Sequence, residues 1–405
     1  MADAGRRLDR RNAPWLAMPE AVRLFERLRE AGGEARFVGG CVRDALLERP
    51  VKAADLDIVT SLLPDAVMAA ARRSVPTGLA HGTVTVFEGD VRFEVTTLRR
   101  DIACDGRHAE VAFTTDFSAD AARRDFTVNA MSCDIDGGLY DYFGGIGDLD
   151  AGRLRFVGDP ARRIEEDYLR ILRFFRFFAG LAREPADPAI LDAVRNHLAG
   201  LDRLSGERVA GEMRKLLSGA SPSAVVSMMN DCGVTARLFG EPFGLGPLRH
   251  FEELREEASW LVRLALLVRG VLDAQKIAVR LCLSSADRDD LVFACTDPLP
   301  PLRAGADAEL RAFAWRSGAR RAQMMVLVGA AFEKHDRATL DRALNVLRAF
   351  PHRPMPLGGK DLAEIGIEPG PSMGLLLKKL EQRWIESDFS LSRDDLLSVV
   401  RTVGG

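Results

Sequence analysis

Two aspartates flank one leucine in Asp55-Leu56-Asp57, shortly after a glycine pair in Phe37-Val38-Gly39-Gly40-Cys41-Val42-Arg43-Asp44. Side chains on a strand alternate faces, so a strand over 56–60 sends Asp55 and Asp57 to the same side. Aspartate is a poor strand former, and Ile58 and Val59 behind the pair are core-type residues. Two carboxylates at the start of a buried strand need a reason, and a divalent cation supplies one. The glycines close a short β-rich run where a helix begins, a turn that bares backbone N–H groups toward phosphate. Taken alone, such a glycine turn is more often just a turn, and paired aspartates can be a solvated edge. Arg43 weighs against both, because an arginine in a first helical turn makes better sense beside an anion. Together these parts would carry out nucleotidyl transfer from a metal-bound triphosphate.

Two further groups extend that chemistry. In Arg123-Arg124-Asp125-Phe126-Thr127-Val128-Asn129-Ala130 the arginines would grip triphosphate oxygens, and Asp125 and Asn129 would take ribose hydroxyls. Its bland alternative is a charged helix end feeding a strand. In the run from Arg163 to Arg176, arginine recurs every third position among large apolar residues, the pattern of a solvent stripe. Yet Asp167 and Arg170 are i,i+3 neighbours if one helix spans 164–178, an acceptor beside a fork of donors. A carboxylate accepts from an exocyclic amine while a guanidinium donates to the adjacent ring nitrogen. Cytosine and adenine both present that edge; uracil and guanine present a carbonyl and a ring N–H instead. Each mismatch leaves a polar group unpaired at roughly 1–3 kcal/mol, so the pair would accept C and A and reject U and G. Arg173 and Arg176 step further round the helix toward triphosphate or ribose.

The elements that must position these groups divide the 405 residues unevenly. Strand and helix signals alternate up to about residue 150: helices over 19–30, 41–47 and 64–73, strands over 35–38, 56–60, 127–135 and 139–142, and a hairpin of 83–87 with 91–97. Residues 99–108, polar and glycine-containing, read as a mobile loop. From Pro160 onward the patterning is helical, with helices over 164–178, 189–198 and 205–217. The fold class is therefore α+β, a small mixed sheet with helices followed by an all-α remainder. The domains are expected at 1–150 (catalytic head), 151–220 (base-reading neck) and 221–405 (body and tail holding RNA). A net charge of −3 leaves any nucleic acid to a local basic surface. Six scattered cysteines without a CxxC pair argue against zinc or a disulfide framework and suit a reducing compartment. With no apolar run near 18 residues and no signal-peptide pattern, the protein is expected in the cytoplasm, away from membranes.

These three motifs in this order resemble the class II branch of tRNA nucleotidyltransferases, the CCA-adding enzymes, which also includes bacterial poly(A) polymerases. Asp141-Tyr142-Phe143-Gly144-Gly145-Ile146-Gly147-Asp148-Leu149 resembles the family's hinge, and Glu207 to Leu217 its neck-helix motif. Gly359-Lys360-Asp361-Leu362 resembles a tail segment. The resemblance is strong over residues 35–220. It implies a polymerase-β-like head, with Gly39, Gly40 and Arg43 at the nucleotide phosphates and Asp55 and Asp57 as catalytic ligands of Mg²⁺. It further implies Arg124 on the incoming nucleotide, Asp125 near its sugar, Asp167 and Arg170 as protein template for the base, and Arg173 and Arg176 completing the nucleotide site. Glu94 is a candidate third carboxylate. Glu48 stands where the family has glycine, and Ala53-Ala54 lengthen the link to Asp55, both implying a displaced turn. Residues 99–108 match in character the family's flexible loop, tied to the switch from C to A addition.

The implied activity is addition of C, C and A to the 3′ end of tRNA from CTP and ATP, by a monomer or homodimer, with pyrophosphate released. Alternatives are a poly(A) polymerase, a CC- or A-adding enzyme of the same branch, and a non-catalytic RNA-binding protein. His335-Asp336 would suit a metal phosphohydrolase, but no histidine partner lies at plausible spacing, and a polar helix end is the better reading.

Overall fold

The sheet grows from β1 (Ala35–Val38) and β2 (Asp57–Thr60), antiparallel, with Phe37 opposite Ile58. Both inner residues are apolar and fully buried; Trp15 and Phe25 pack on Phe37 with ring centroids 4.4 and 4.6 Å away. Around this pair stand β3 (Ser74–Gly78), β4 (Thr83–Glu88), β5 (Val91–Thr97), β8 (Ser132–Cys133) and β9 (Leu139–Tyr140). The order in this seven-stranded mixed sheet is β3-β4-β5-β2-β1-β8-β9. β4 and β5 form the expected hairpin, and β2 runs parallel to β5, which sets Asp57 beside Glu94. The computed structural model describes residues 6–104, 109–351 and 353–403, with backbone alone at 101–104, 109–110 and 401–403.

Helices cover the sheet: α1 (Pro19–Glu30), α2 (Gly40–Leu46), α3 (Pro64–Ala70) and α4 (Phe117–Ala122). The hinge-like segment opens α5 (Gly145–Ala151), where the Asp141 carboxylate accepts backbone N–H bonds from Phe143, Gly145 and Ile146 at 3.2, 2.9 and 2.9 Å. Then come α6 (Pro160–Glu166), α7 (Leu169–Leu181), α8 (Pro188–Asn196) and α9 (Gly206–Leu217), with α7 packed along α9. All of these belong to one compact unit that runs to Gly219 and includes Ala224–Gly240. A second unit, Ala220–Ser223 with the chain from Glu241 onward, contains helices from Gly246–Glu253 to Arg393–Val403. Among the described residues no helix is long and apolar enough to cross a membrane.

Four local expectations are corrected. First, the segment from Thr127 starts as a 3-10 turn, Thr127–Asn129, and only Ser132–Cys133 is strand. The Thr127 hydroxyl is drawn to the buried Asp148 carboxylate at 2.7 Å, which holds the chain off the sheet. Second, the supposed loop at 99–108 is largely ribbon: β6 (Arg99–Cys104) pairs antiparallel with β7 (Ala109–Phe113), Arg99 opposite Phe113. The tip read as part of that loop, Asp105-Gly106-Arg107-His108, lies outside the described residues. Third, a single helix over 164–178 does not exist. Asp167 is extended (φ −157°, ψ 106°) and separates α6 from α7. Its carboxylate accepts the N–H of Leu169 two residues on, at 3.1 Å, so side chain competes with helix for the same donor. Fourth, β2 starts at Asp57, and Asp55 closes a 3-10 turn, Ala53–Asp55, so strand alternation does not set the two aspartates on one face. Glu48, in the place of the family glycine, takes the left-handed backbone itself (φ 56°).

Candidate active site

A polar cleft of ≈ 500 Å³ opens where β1 meets α2 and β2 begins. Gly39, Gly40, Arg43, Asp57, Arg124, Asp125, Asp167, Arg170, Arg173 and Arg176 all line it. Of the carboxylates singled out by sequence, Asp55 and Glu94 do not, although the charge of each is felt by Asp57. Arg123, Asn129, Leu169, Phe177 and Arg208 complete the wall, so seven arginines face three aspartates. Guanidiniums at that density suit a polyanion.

Gly39 adopts φ 73°, a backbone that favours glycine, and a Cβ there would stand 3.2 Å from Nη1 of Arg124 and crowd it. The Gly39 N–H is not bared to the cleft, however, since it donates to Met131 O at 3.3 Å across the β1–β8 junction. Arg43 is held by the Asp44 carboxylate, at 3.0 and 2.8 Å, and by Asn129 Oδ1 at 2.6 Å.

Asp57 is the cleft carboxylate contributed by the sheet, at the exposed first position of β2. Desolvation raises its pKa, the Arg124 guanidinium opposes that, and the charges of Glu94 and Asp55 raise it further. Three carboxylates thus interact where like charge is costly, and a cation would relieve it. Among the described residues no three His, Cys, Asp or Glu side chains stand close enough to enclose a metal ion. A closed cage is not required. Mg²⁺ on a triphosphate takes one or two carboxylates and completes its shell with phosphate oxygens and water. The donor set therefore fits such an ion.

Asp125 plays a different part from the one expected. Its Oδ1 accepts from the Phe126 N–H at 2.8 Å and Asn129 Nδ2 at 3.1 Å, and its Oδ2 from Nε of Arg173 at 2.7 Å and from Nη2 of the same arginine. A carboxylate has about four acceptor positions, and these are filled. Burial alone would raise its pKa; Arg173 overrides that and holds it low. Asp125 thus holds Arg173, and Asn129 is likewise engaged, with Asp125 and Arg43. Arg173 stands 4.0 Å from the buried Glu212 of α9, which accepts from Nε of Arg176 at 2.5 Å. Phe177 lies under these groups, 3.8 Å from the Arg176 guanidinium and 5.1 Å from that of Arg43.

The Asp167–Arg170 pairing is also corrected. Arg170 bonds Glu166 at 2.6 Å, Arg163 O at 2.8 Å and Arg123 O at 3.3 Å, while Asp167 accepts from Nη2 of Arg208 at 2.8 Å. Acceptor and fork thus share one cleft but each is steadied by its own partner. By donor count, Arg170 keeps Nε–H and one Nη2–H, and Asp167 keeps one acceptor position on each oxygen. Sequence reading missed Arg208, Glu212, Glu166 and Phe177 as parts of the site. Arg208 and Glu212 sit in the neck-helix segment already noted, and the signal there was an acid at i+4 from an arginine, falling among the helix's apolar, buried positions.

Residues 35–155 match the family model of the Poly A polymerase head domain, and residues 186–243 that of the probable RNA and SrmB-binding site of polymerase A. Over 400 residues the chain is 34% identical to the mouse (Mus musculus) CCA tRNA nucleotidyltransferase 1, mitochondrial, covering 93% of this chain and 89% of the relative. The chain belongs to the CCA-adding tRNA nucleotidyltransferase family. A Streptococcus pyogenes CCA-adding enzyme is 33% identical over 388 residues, with 91% and 92% covered. The Bacillus stearothermophilus CCA-adding enzyme in complex with CTP superposes with a TM-score of 0.77 at 29% identity, covering 95% of this chain and 98% of that one. The mixed sheet is accordingly the polymerase-β-like head of a nucleotidyltransferase, with a mostly helical remainder. His335-Asp336 lies far from this chemistry in sequence and caps a helix: Asp336 accepts from the Thr339 N–H at 2.9 Å, and His335 bonds Glu333.

Proposed function

We propose that this nucleotidyltransferase adds C, C and A to the 3′ end of tRNA from CTP and ATP, without a nucleic-acid template, and releases pyrophosphate. The observation that carries the reading is one cleft holding the Asp57 carboxylate, arginines for a triphosphate, and Asp167 and Arg170 with open hydrogen-bonding positions. A CTP complex of a structurally similar relative supports the nucleotide.

In this reading Asp55 and Asp57 hold Mg²⁺, with Glu94 beside Asp57. An ion held there would supply Lewis-acid activation of the tRNA 3′-OH and neutralisation of the leaving pyrophosphate. Arg43 and Arg124 orient the triphosphate. Asp167 accepts from the exocyclic amine of cytosine or adenine while Arg170 donates to the neighbouring ring nitrogen. Arg173 and Arg176, fixed by Asp125 and Glu212, close the wall around the nucleotide. The head (1–150) does the chemistry, the neck (151–220) reads the base, and the body and tail (221–405) hold the acceptor and T-arms by shape and phosphate contacts. The buried free thiols of Cys41, Cys133 and Cys232 support a reducing compartment, the cytoplasm.

The test is incorporation of CTP into a tRNA ending at its discriminator base. Wild type extends it, and Asp55→Ala and Asp57→Ala lose activity by orders of magnitude. Undiminished extension by Asp57→Ala overturns the assignment.

A further inference from the structure

Asp120, in α4, lies behind the cleft arginines with a side chain only 2% exposed. A carboxylate survives such burial only when its charge and lone pairs are matched. Oδ1 accepts from Nε and Nη2 of Arg123 at 3.0 and 2.9 Å and from the backbone N–H of Arg99 at 3.2 Å. Oδ2 accepts from Nη2 of Arg124 at 3.2 Å. Burial would raise the pKa of Asp120, but the Arg124 and Arg123 charges hold it below the usual carboxylate range. The acid is therefore ionised and fixes three donors at once.

Two of those donors line the cleft. Arg124 is pinned at its other nitrogen by Asn129 O at 3.5 Å, runs past Gly39, and acts electrostatically on Asp57. The third donor, Arg99, is the first residue of the β6–β7 ribbon. The ribbon base is docked a second time. The Arg99 guanidinium donates to His81 O, and the Phe113 ring lies against Gly82, where a Cβ would come within 2.7 Å of it. One buried carboxylate thus joins the ribbon base to arginines that line the cleft with Asp57.

We propose that Asp120 is a positioning residue that sets Arg123 and Arg124 against the incoming triphosphate and couples that grip to the base of the ribbon. The inference rests on the reading of Arg124 as a phosphate ligand. It assigns Asp120 no contact with substrate; its effect passes through the arginines.

The experiment is steady-state CTP incorporation by the full-length enzyme, with inorganic tripolyphosphate as competitive inhibitor, for wild type, Asp120→Asn, Arg124→Ala and the double variant. Asp120→Asn keeps the shape but turns an N–H toward the guanidiniums. It should raise the KM for CTP and the Ki for tripolyphosphate together, by about tenfold, the scale of one lost charged hydrogen bond, with a smaller change in kcat. In the Arg124→Ala background the same substitution should add little, because the two act as one unit. A fall in kcat with KM and Ki unchanged overturns the proposal, as does an undiminished effect in the double variant. Wild-type KM and Ki in Arg124→Ala itself instead refute Arg124 as a phosphate ligand, and the inference falls with it. If Asp120→Asn does not fold, Asp120→Glu moves the charge by one methylene. A joint rise in KM and Ki is then expected, and wild-type values contradict the proposal.

Discussion

Replacing Arg208 with alanine isolates how the base-reading carboxylate is aimed. Arg208 donates to Asp167 Oδ2 at 2.8 Å, while Oδ1 stays tied to the Leu169 N–H at 3.1 Å. The two side chains are 40% and 28% exposed, so the ion pair contributes about 0–1 kcal/mol to stability, and the variant should fold. Specificity is another matter. Without Arg208 one carboxylate oxygen is free to swing, and the acceptor that disfavours uracil O4 is no longer held in place. The mismatch it enforces is worth roughly 1–3 kcal/mol, so the ratio of kcat/KM for CTP over UTP should fall by about 5- to 150-fold. The assay is single-nucleotide incorporation into tRNA lacking its CCA end, with each triphosphate varied separately. An unchanged ratio in Arg208→Ala, alongside a collapsed ratio in Asp167→Ala, refutes the idea that the pair works as an oriented unit.

Three further outcomes follow from the same contacts. While Arg173 keeps Asp125, Glu212→Gln leaves Arg176 without its buried counter-charge, at about 3–5 kcal/mol, which lowers Tm by on the order of 6–20 °C for a unit of this size; an unchanged calorimetric Tm contradicts it. Asp57, with its pKa raised, binds a proton more tightly folded than unfolded, so its charge is a stability cost above the folded pKa that disappears as pH falls through that value. Asp57→Asn should therefore raise Tm at neutral pH while abolishing transfer, with the difference closing in acid, and an equal or lower neutral Tm sinks the argument. Burial, and then the charge of Asp57, push the Cys41 thiol up to about 12. At about pH 8 iodoacetamide should spare Cys41 in the folded protein and label it in denaturant; equal labelling in both states contradicts the burial.

What could be read from residue order alone was what depends on near neighbours. β1 appears with the bounds its β-branched and aromatic run implies, α1 with those of its apolar face, and the β4–β5 hairpin around Glu88-Gly89-Asp90. The glycine turn, Asp57, and Arg123, Arg124, Arg170, Arg173 and Arg176 of the later motifs meet in one cleft although they are far apart along the chain. What escaped were choices made between competing partners. Asp167 ends α6 because its carboxylate takes the Leu169 N–H, and no helical periodicity contains that competition. Asp125 has the residue type of a sugar ligand, but Arg173, 48 residues away, claims it first. Arg208 is 41 residues from Asp167, and Glu212 is 36 from Arg176, so their pairing exists only once α9 lies along α7. The ribbon is a similar case, because Arg99 to Cys104 has little strand character until Ala109–Phe113 closes the ladder.

The central claim is tested most directly by stepwise extension of one end-labelled tRNA that stops at the discriminator base, incubated with CTP alone, ATP alone, and both. The expected result is addition of two residues with CTP, none with ATP, and a discrete product three residues longer with the pair. Long adenylate tails from ATP alone, with CTP inert, would contradict it.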